Sequence, residues 1–134
     1  MRLIFFCTLA AIACNVTAIG APAEEDAATS GKKCLSLVDD QKYEESWNQA
    51  SSMFRSEVTL GQWAAALKRS REPLGPLVSR TTSRAQFSKT LRGTPDGDYA
   101  IIHFETSFKV KSATERLTLV KEDARWQMVA YGIY

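Results

Sequence analysis

Tyr99, His103 and Glu105 are the side chains in this sequence best suited to moving a proton, and they fall within seven residues of one another. An imidazole beside a carboxylate can act as general base and general acid, provided that both reach the substrate. The residues around them alternate: Ala100, Ile102, Phe104, Thr106 and Phe108 form one face of a strand, and Tyr99, Ile101, His103, Glu105 and Ser107 form the other. The first set is the better core face, so His103 and Glu105 are expected to point outward. His103 is the only histidine, and no further histidine or spare cysteine completes a metal site. No catalytic residue, metal or cofactor is therefore expected. The alternative is a hydrolase, isomerase or dehydratase in which His103, Glu105 and Tyr99 line an enclosed cavity.

Two arginines invite a second chemistry. Arg71 and Arg80 bracket a Pro-Leu-Gly turn, and a pair of guanidinium forks could clamp an anionic group or meet a partner. The competing reading has Arg71 at a helix end, where its charge suits the dipole, and Arg80 paired with Glu105 across strands. Trp47, Trp63 and Trp126 could stack on a ligand or simply fill a core. With Ser79, Thr81, Phe104, Thr106 and Phe108 they make up the expected lining of a pocket on the inner sheet face. That face is read as having hydroxyls and no carboxylate, which favours binding over catalysis.

These side chains are positioned by helices first and a sheet second. A short helix is expected over Lys32–Asp39, carrying Cys34, Leu35 and Val38. An amphipathic helix follows, with Tyr43, Trp47, Ala50 or Ser51 and Phe54 at helical spacing. A third opens at Thr59, where Thr59-x-x-Gln62 forms a capping box, and ends at Pro73 and Gly75. Beyond Gly75 the period becomes two, giving strands at about 77–91, 99–109, 114–121 and 125–133. Thr94-Pro95-Asp96-Gly97 is a strong turn, and the short links imply an antiparallel meander. The fold class is α+β, with three N-terminal helices packed on a curved, cone-like sheet of four strands.

The first residues read as an export signal: Met1-Arg2, an apolar run from Leu3 to Ala13, and Ala21-Pro22-Ala23 before acidic residues. The expected organisation is a signal over 1–23, a flexible leader over 24–31 and one domain over 32–134. Cleavage after Ala23 would release the domain into the periplasm or medium. The rival is lipidation at Cys14 within Ala11-Ile12-Ala13-Cys14, which would tether it to a membrane. Cleavage after Ala23 leaves Cys34 as the single cysteine of the mature chain, unable to form an internal disulfide. The whole chain of 134 residues carries a net charge of +2, with bases scattered among acids. That argues against nucleic acid, which calls for a clustered basic face.

Several motifs taken in order carry a family resemblance. They are Leu37-Val38-Asp39, Tyr43-x-x-Ser46-Trp47, Trp63, Arg71-x-Pro73-Leu74-Gly75, Ser79-Arg80, Pro95-Asp96-Gly97-x-Tyr99, Thr106-x-Phe108 and Trp126. Together they resemble the bacterial family called domain of unknown function 4019, over about residues 34–134. The resemblance implies an exported protein with a cone of the nuclear-transport-factor-two-like or cystatin-like kind. Two departures stand out: Cys34 where an aromatic residue is expected, and Ala124 in place of the glycine of the last turn, which is expected to loosen it. The reading that follows is a non-enzymatic exported module. It binds a small ligand or an envelope protein, forms a homodimer through its outer sheet face, or serves as a structural envelope protein.

Overall fold

The computed structural model describes residues 22–134, so the Leu3–Ala13 run and the alternative lipidation at Cys14 lie outside the described residues. Among the described residues four helices precede the sheet: α1 (Pro22–Asp39), α2 (Tyr43–Asn48), α3 (Ser52–Glu57) and α4 (Leu60–Ser70), followed by a 3-10 turn (Glu72–Leu74). The strands are β1 (Leu77–Ser88), β2 (Tyr99–Phe108), β3 (Ser112–Glu122) and β4 (Arg125–Ile133), in the order β1-β2-β3-β4. Every neighbouring pair is antiparallel. The α+β class and the meander therefore hold. No helix among the described residues is long and apolar enough to cross a membrane.

The first helix reaches back to Pro22, so residues 24–31 form helix where a flexible leader is expected. Ala27, Gly31, Leu35 and Val38 explain the extension, since steps of four, four and three place them on one helical face. Ala27 and Leu35 are fully buried. Gly31 is a point of close approach: a β-carbon there would lie 3.1 Å from Leu117 Cδ2 and 3.6 Å from Ile102 Cδ1. Through this stripe α1 lies across all four strands.

The expected single helix over Tyr43–Phe54 is two helices. Ser51 adopts an extended conformation, accepts a bond from the Phe54 amide and so caps α3. Its own amide donates to Met128 O at 2.9 Å. A serine cap competes well with continued helix, and here it also covers part of the β4 edge. The capping box at Thr59 forms as its spacing predicts, with both reciprocal bonds present.

Glu122 pairs with Arg125, so β3 and β4 are joined by the two-residue turn Asp123-Ala124. Both residues have positive φ, 49° and 62°. The turn is thus tight despite the missing glycine, and the cost is a left-handed alanine, which is about 1–2 kcal/mol less favourable than a right-handed one. Ala124→Gly removes that strain and is expected to raise the unfolding free energy by about 1 kcal/mol. A urea melt with an unchanged or lower midpoint would contradict the reading.

Candidate functional site

The inner face of β2 is the expected one: Ala100, Ile102, Phe104, Thr106 and Phe108 are all buried. What they face is a core and a charge network. Trp63 is buried, stacks edge-on against Phe54 and donates from Nε1 to Ser46 Oγ at 2.9 Å. Trp47 donates to Val58 O at 2.7 Å. Both are structural aromatics, tied down at their polar ends. Ser79 and Thr81 are exposed and sit opposite Ser107 and Glu105 on the other face, so they line no inner pocket.

The inner face does hold a carboxylate, contrary to the sequence-based expectation. Glu115 on β3 is fully buried and accepts four bonds. Oε1 takes Arg80 Nε at 2.7 Å and Thr106 Oγ1 at 2.6 Å, while Oε2 takes Tyr131 Oη at 2.5 Å and Arg71 Nη1 at 3.4 Å. Asp39, the last residue of α1, accepts Arg71 Nη2 at 2.5 Å, and Arg80 Nη1 and Nη2 at 2.7 and 2.9 Å. Arg71 and Arg80 thus clamp two carboxylates of their own chain, and Arg80 does not pair with Glu105. Two positive and two negative charges make the cluster neutral. Its side chains are only 6%, 7%, 11% and 0% exposed for Arg71, Arg80, Asp39 and Glu115. Phe108 completes it, with the Arg71 guanidinium 4.3 Å from its ring centroid.

The electrostatics follow from that packing. Burial works against the Arg80 charge, but bonds to Asp39 and Glu115 outweigh it and lift the group above its ordinary value. Burial, then the nearby Glu115 charge, pushes the Tyr131 phenol far above its ordinary value. Tyr131 faces inward, not outward, because the register shifts between Thr118 and Leu119. Leu117 therefore sits opposite Tyr131 and Leu119 opposite Met128, which leaves Ala130 on the outer face.

His103 and Glu105 lie on the outer face, as expected, and do not form a pair. His103 stands between Arg84 and Arg116, while Glu105 accepts from Thr114 Oγ1 at 3.2 and 3.3 Å. Tyr99 is buried and donates to Pro95 O at 2.5 Å. Among the described residues no three His, Cys, Asp or Glu side chains gather as a metal-ligand set.

Open space lies at the far end of the sheet. A groove of about 560 Å³ runs between α1 and the β3–β4 hairpin. Cys34, Leu37, Leu119, Trp126 and Met128 supply its apolar side chains, Ser46, Asn48, Gln49 and Gln127 its polar ones, and Lys33, Lys121 and Arg125 its bases, with Asp26 the single acid. Of the residues expected to line a pocket, Trp126 is the one that lines this groove. The Cys34 thiol contacts Met128 Sδ at 3.9 Å, and burial pushes its pKa from 9.0 up to about 12. A smaller groove of about 380 Å³ opens between Val38, Tyr43 and Pro76, where Asp39 and Arg71 reach the surface.

Residues 30–131 match the family described as "Protein of unknown function (DUF4019)". The chain belongs to this family. The matched segment contains Asp39, Arg71, Arg80, Thr106, Glu115 and Tyr131, so the charge network lies wholly within the family's domain. The curated proteins contain no match.

Removing one charge from this cluster leaves an uncompensated buried ion, which costs about 3–5 kcal/mol. Glu115→Gln is expected to lower the unfolding free energy by about that amount. The double variant Arg80→Gln, Glu115→Gln restores neutrality and is expected to cost about 1–3 kcal/mol less than the sum of the single changes. Simple additivity in chemical denaturation would remove the case for a coupled network.

The pH dependence has a definite sign. The unfolded chain releases the tyrosine proton near about pH 10, while native Tyr131 holds its proton well beyond that. The unfolded state then binds fewer protons, so stability falls as pH rises. Cys34 acts in the same sense between pH 9.0 and about 12. Both contributions are complete below these windows and are lost above them. Urea melts at rising alkaline pH are expected to show declining stability, with a shallower decline for Tyr131→Phe; a flat profile would count against it.

Proposed function

We propose that this is an exported, non-enzymatic binding module whose ligand is a small molecule with an apolar body and an acidic group. The observation that carries this reading is the groove between α1 and the β3–β4 hairpin. Its volume of about 560 Å³ falls within the range of small-molecule sites, roughly 300–1,000 Å³. Leu37, Cys34 and the Trp126 ring offer contact to a hydrocarbon or aromatic body. Three bases against one acid at the rim match an anionic head, and Lys121 already reaches over the Trp126 ring at 5.7 Å.

The same lining speaks for binding over turnover. It contains no histidine or glutamate to activate a nucleophile, and its one thiol is kept protonated at neutral pH by burial. Reactive cysteines depend on the opposite shift. His103, Glu105 and Tyr99, the residues of the enzyme alternative, share no cavity with it. Export rests on the layout of residues 1–23, a basic end, an apolar centre and a small-x-small site.

The Trp126 indole offers a direct readout, since its Nε1 is buried without a hydrogen-bond partner. Titrating the labelled protein with decanoate is expected to shift that indole resonance saturably, and decanol is expected to act more weakly. Lys121→Glu with Arg125→Glu is expected to weaken decanoate at least about tenfold, a difference of about 1.4 kcal/mol. A Trp126 signal indifferent to decanoate, or equally responsive to decanol, would sink the proposed ligand class.

A further inference from the structure

The outer sheet face carries an arrangement that folding alone does not explain. Arg84 on β1 stands opposite His103 on β2, which stands opposite Arg116 on β3. Gly132 on β4 continues the row and adds no side chain. Like charges at neighbouring cross-strand positions destabilise a sheet, and strand spacing of about 4.8 Å puts the two arginines roughly 10 Å apart. Both are exposed, and neither has an ion-pair partner among the described residues. The nearest carboxylate on this face, Glu105, is engaged by Thr114.

Arg84 also lies on an open edge. Order β1-β2-β3-β4 leaves β1 and β4 at the margins. The β4 margin is partly capped, by the Ser51 amide on Met128 O and by Gln127 Nε2 on Gln49 O at 3.5 Å. Along the twelve residues of β1, no segment beyond β2 forms a backbone bond among the described residues. An unpaired strand edge is a template for another strand, and the charges of this one are Arg80 and Arg84 with no carboxylate. Arg80 is consumed by the interior cluster, so Arg84 is the charge that the edge presents.

We propose that the β1 edge receives an extended acidic segment of another polypeptide. It adds as a fifth, antiparallel strand, with a carboxylate opposite Arg84 and the Arg84-His103-Arg116 row drawing it in. Backbone bonds along the edge supply affinity, and the charge sets register and partner choice. A second copy of this chain fits poorly, because β1 offers no acid to its own arginines. The surface is separate from the groove and does not depend on the ligand proposed for it.

The test uses two capped ten-residue peptides of alternating Thr and Val, one with a central Glu and one with Lys in its place. With isotope-labelled protein, the Glu peptide is expected to shift the 77–88 amides saturably and to slow their hydrogen exchange. It is expected to bind at least about tenfold more tightly than the Lys peptide. The exposed-site variant Arg84→Glu is expected to reverse that preference, which a merely structural arginine would not do. Three outcomes overturn the proposal: no response of these amides at about 1 mM peptide, peptide binding without charge preference, or protection that rises with protein concentration alone. A response to phosphatidylglycerol vesicles with none to the peptides would overturn it in favour of a membrane surface.

Discussion

Glu115 is a carboxylate with no exposure to water, and the structure is arranged so that each of its four lone-pair directions receives a donor. Leaving a buried ion short of partners costs several kcal/mol, so the donors must arrive together. Arg71 comes from the end of α4, Arg80 from β1, Thr106 from β2 and Tyr131 from β4. Asp39, at the end of α1, then balances the second arginine. The cluster ties one helix end, one helix exit and all four strands to a single point. A slip of one residue in any strand would turn its member outward. The network therefore specifies register, a role for which its near-complete hydrogen bonding is better suited than for net stability.

That constraint also decides where a ligand can go. The cluster and Phe108 occupy the end of the inner face beside Pro76, and the aromatic and aliphatic core occupies its middle. Beside the β3–β4 turn the larger of the two grooves opens between α1 and the hairpin, and a smaller one borders the cluster at Pro76. Cys34, where the family resemblance leads one to expect an aromatic residue, belongs to this opening. Its thiol lies against Met128 at the base of the groove.

Much of this is legible in the sequence, and the failures have physical causes. The β2 alternation correctly separates core from surface, and the capping box at Thr59 is fully specified by two residues. Glu115 shares the parity of Leu117 and Leu119 within the expected strand, so its burial is readable, yet a lone carboxylate does not register as a core residue until its four donors from other elements are known. The first helix is longer than its apolar pattern suggests because Ala27 and Gly31 are small and do not register as an apolar stripe, although they mark a close approach. Strict alternation carried past the irregularity between Thr118 and Leu119 would turn Tyr131 outward, whereas it faces inward. Nothing in the local composition marks a bulge whose position depends on the partner strand.

A second irregularity, in β1, separates the two kinds of arginine in this protein. Alternation places Arg80, Thr82 and Arg84 on one face. The register shift between Thr82 and Arg84 inserts Ser83 as an extra residue, so Arg80 points to Thr106 and the interior while Arg84 points outward beside His103. Ser83 secures the distortion by donating from Oγ to His103 O at 3.2 Å. Without the bulge, Arg84 would face the apolar core over Ile102 with no carboxylate to receive it, since Asp39 and Glu115 are already filled. The bulge thus removes a buried charge that the interior could not neutralise, and in doing so creates the unneutralised row on the surface. Bulges re-aim side chains at sheet edges and beside functional sites, and here a single inserted serine serves both the closed interior and the open edge.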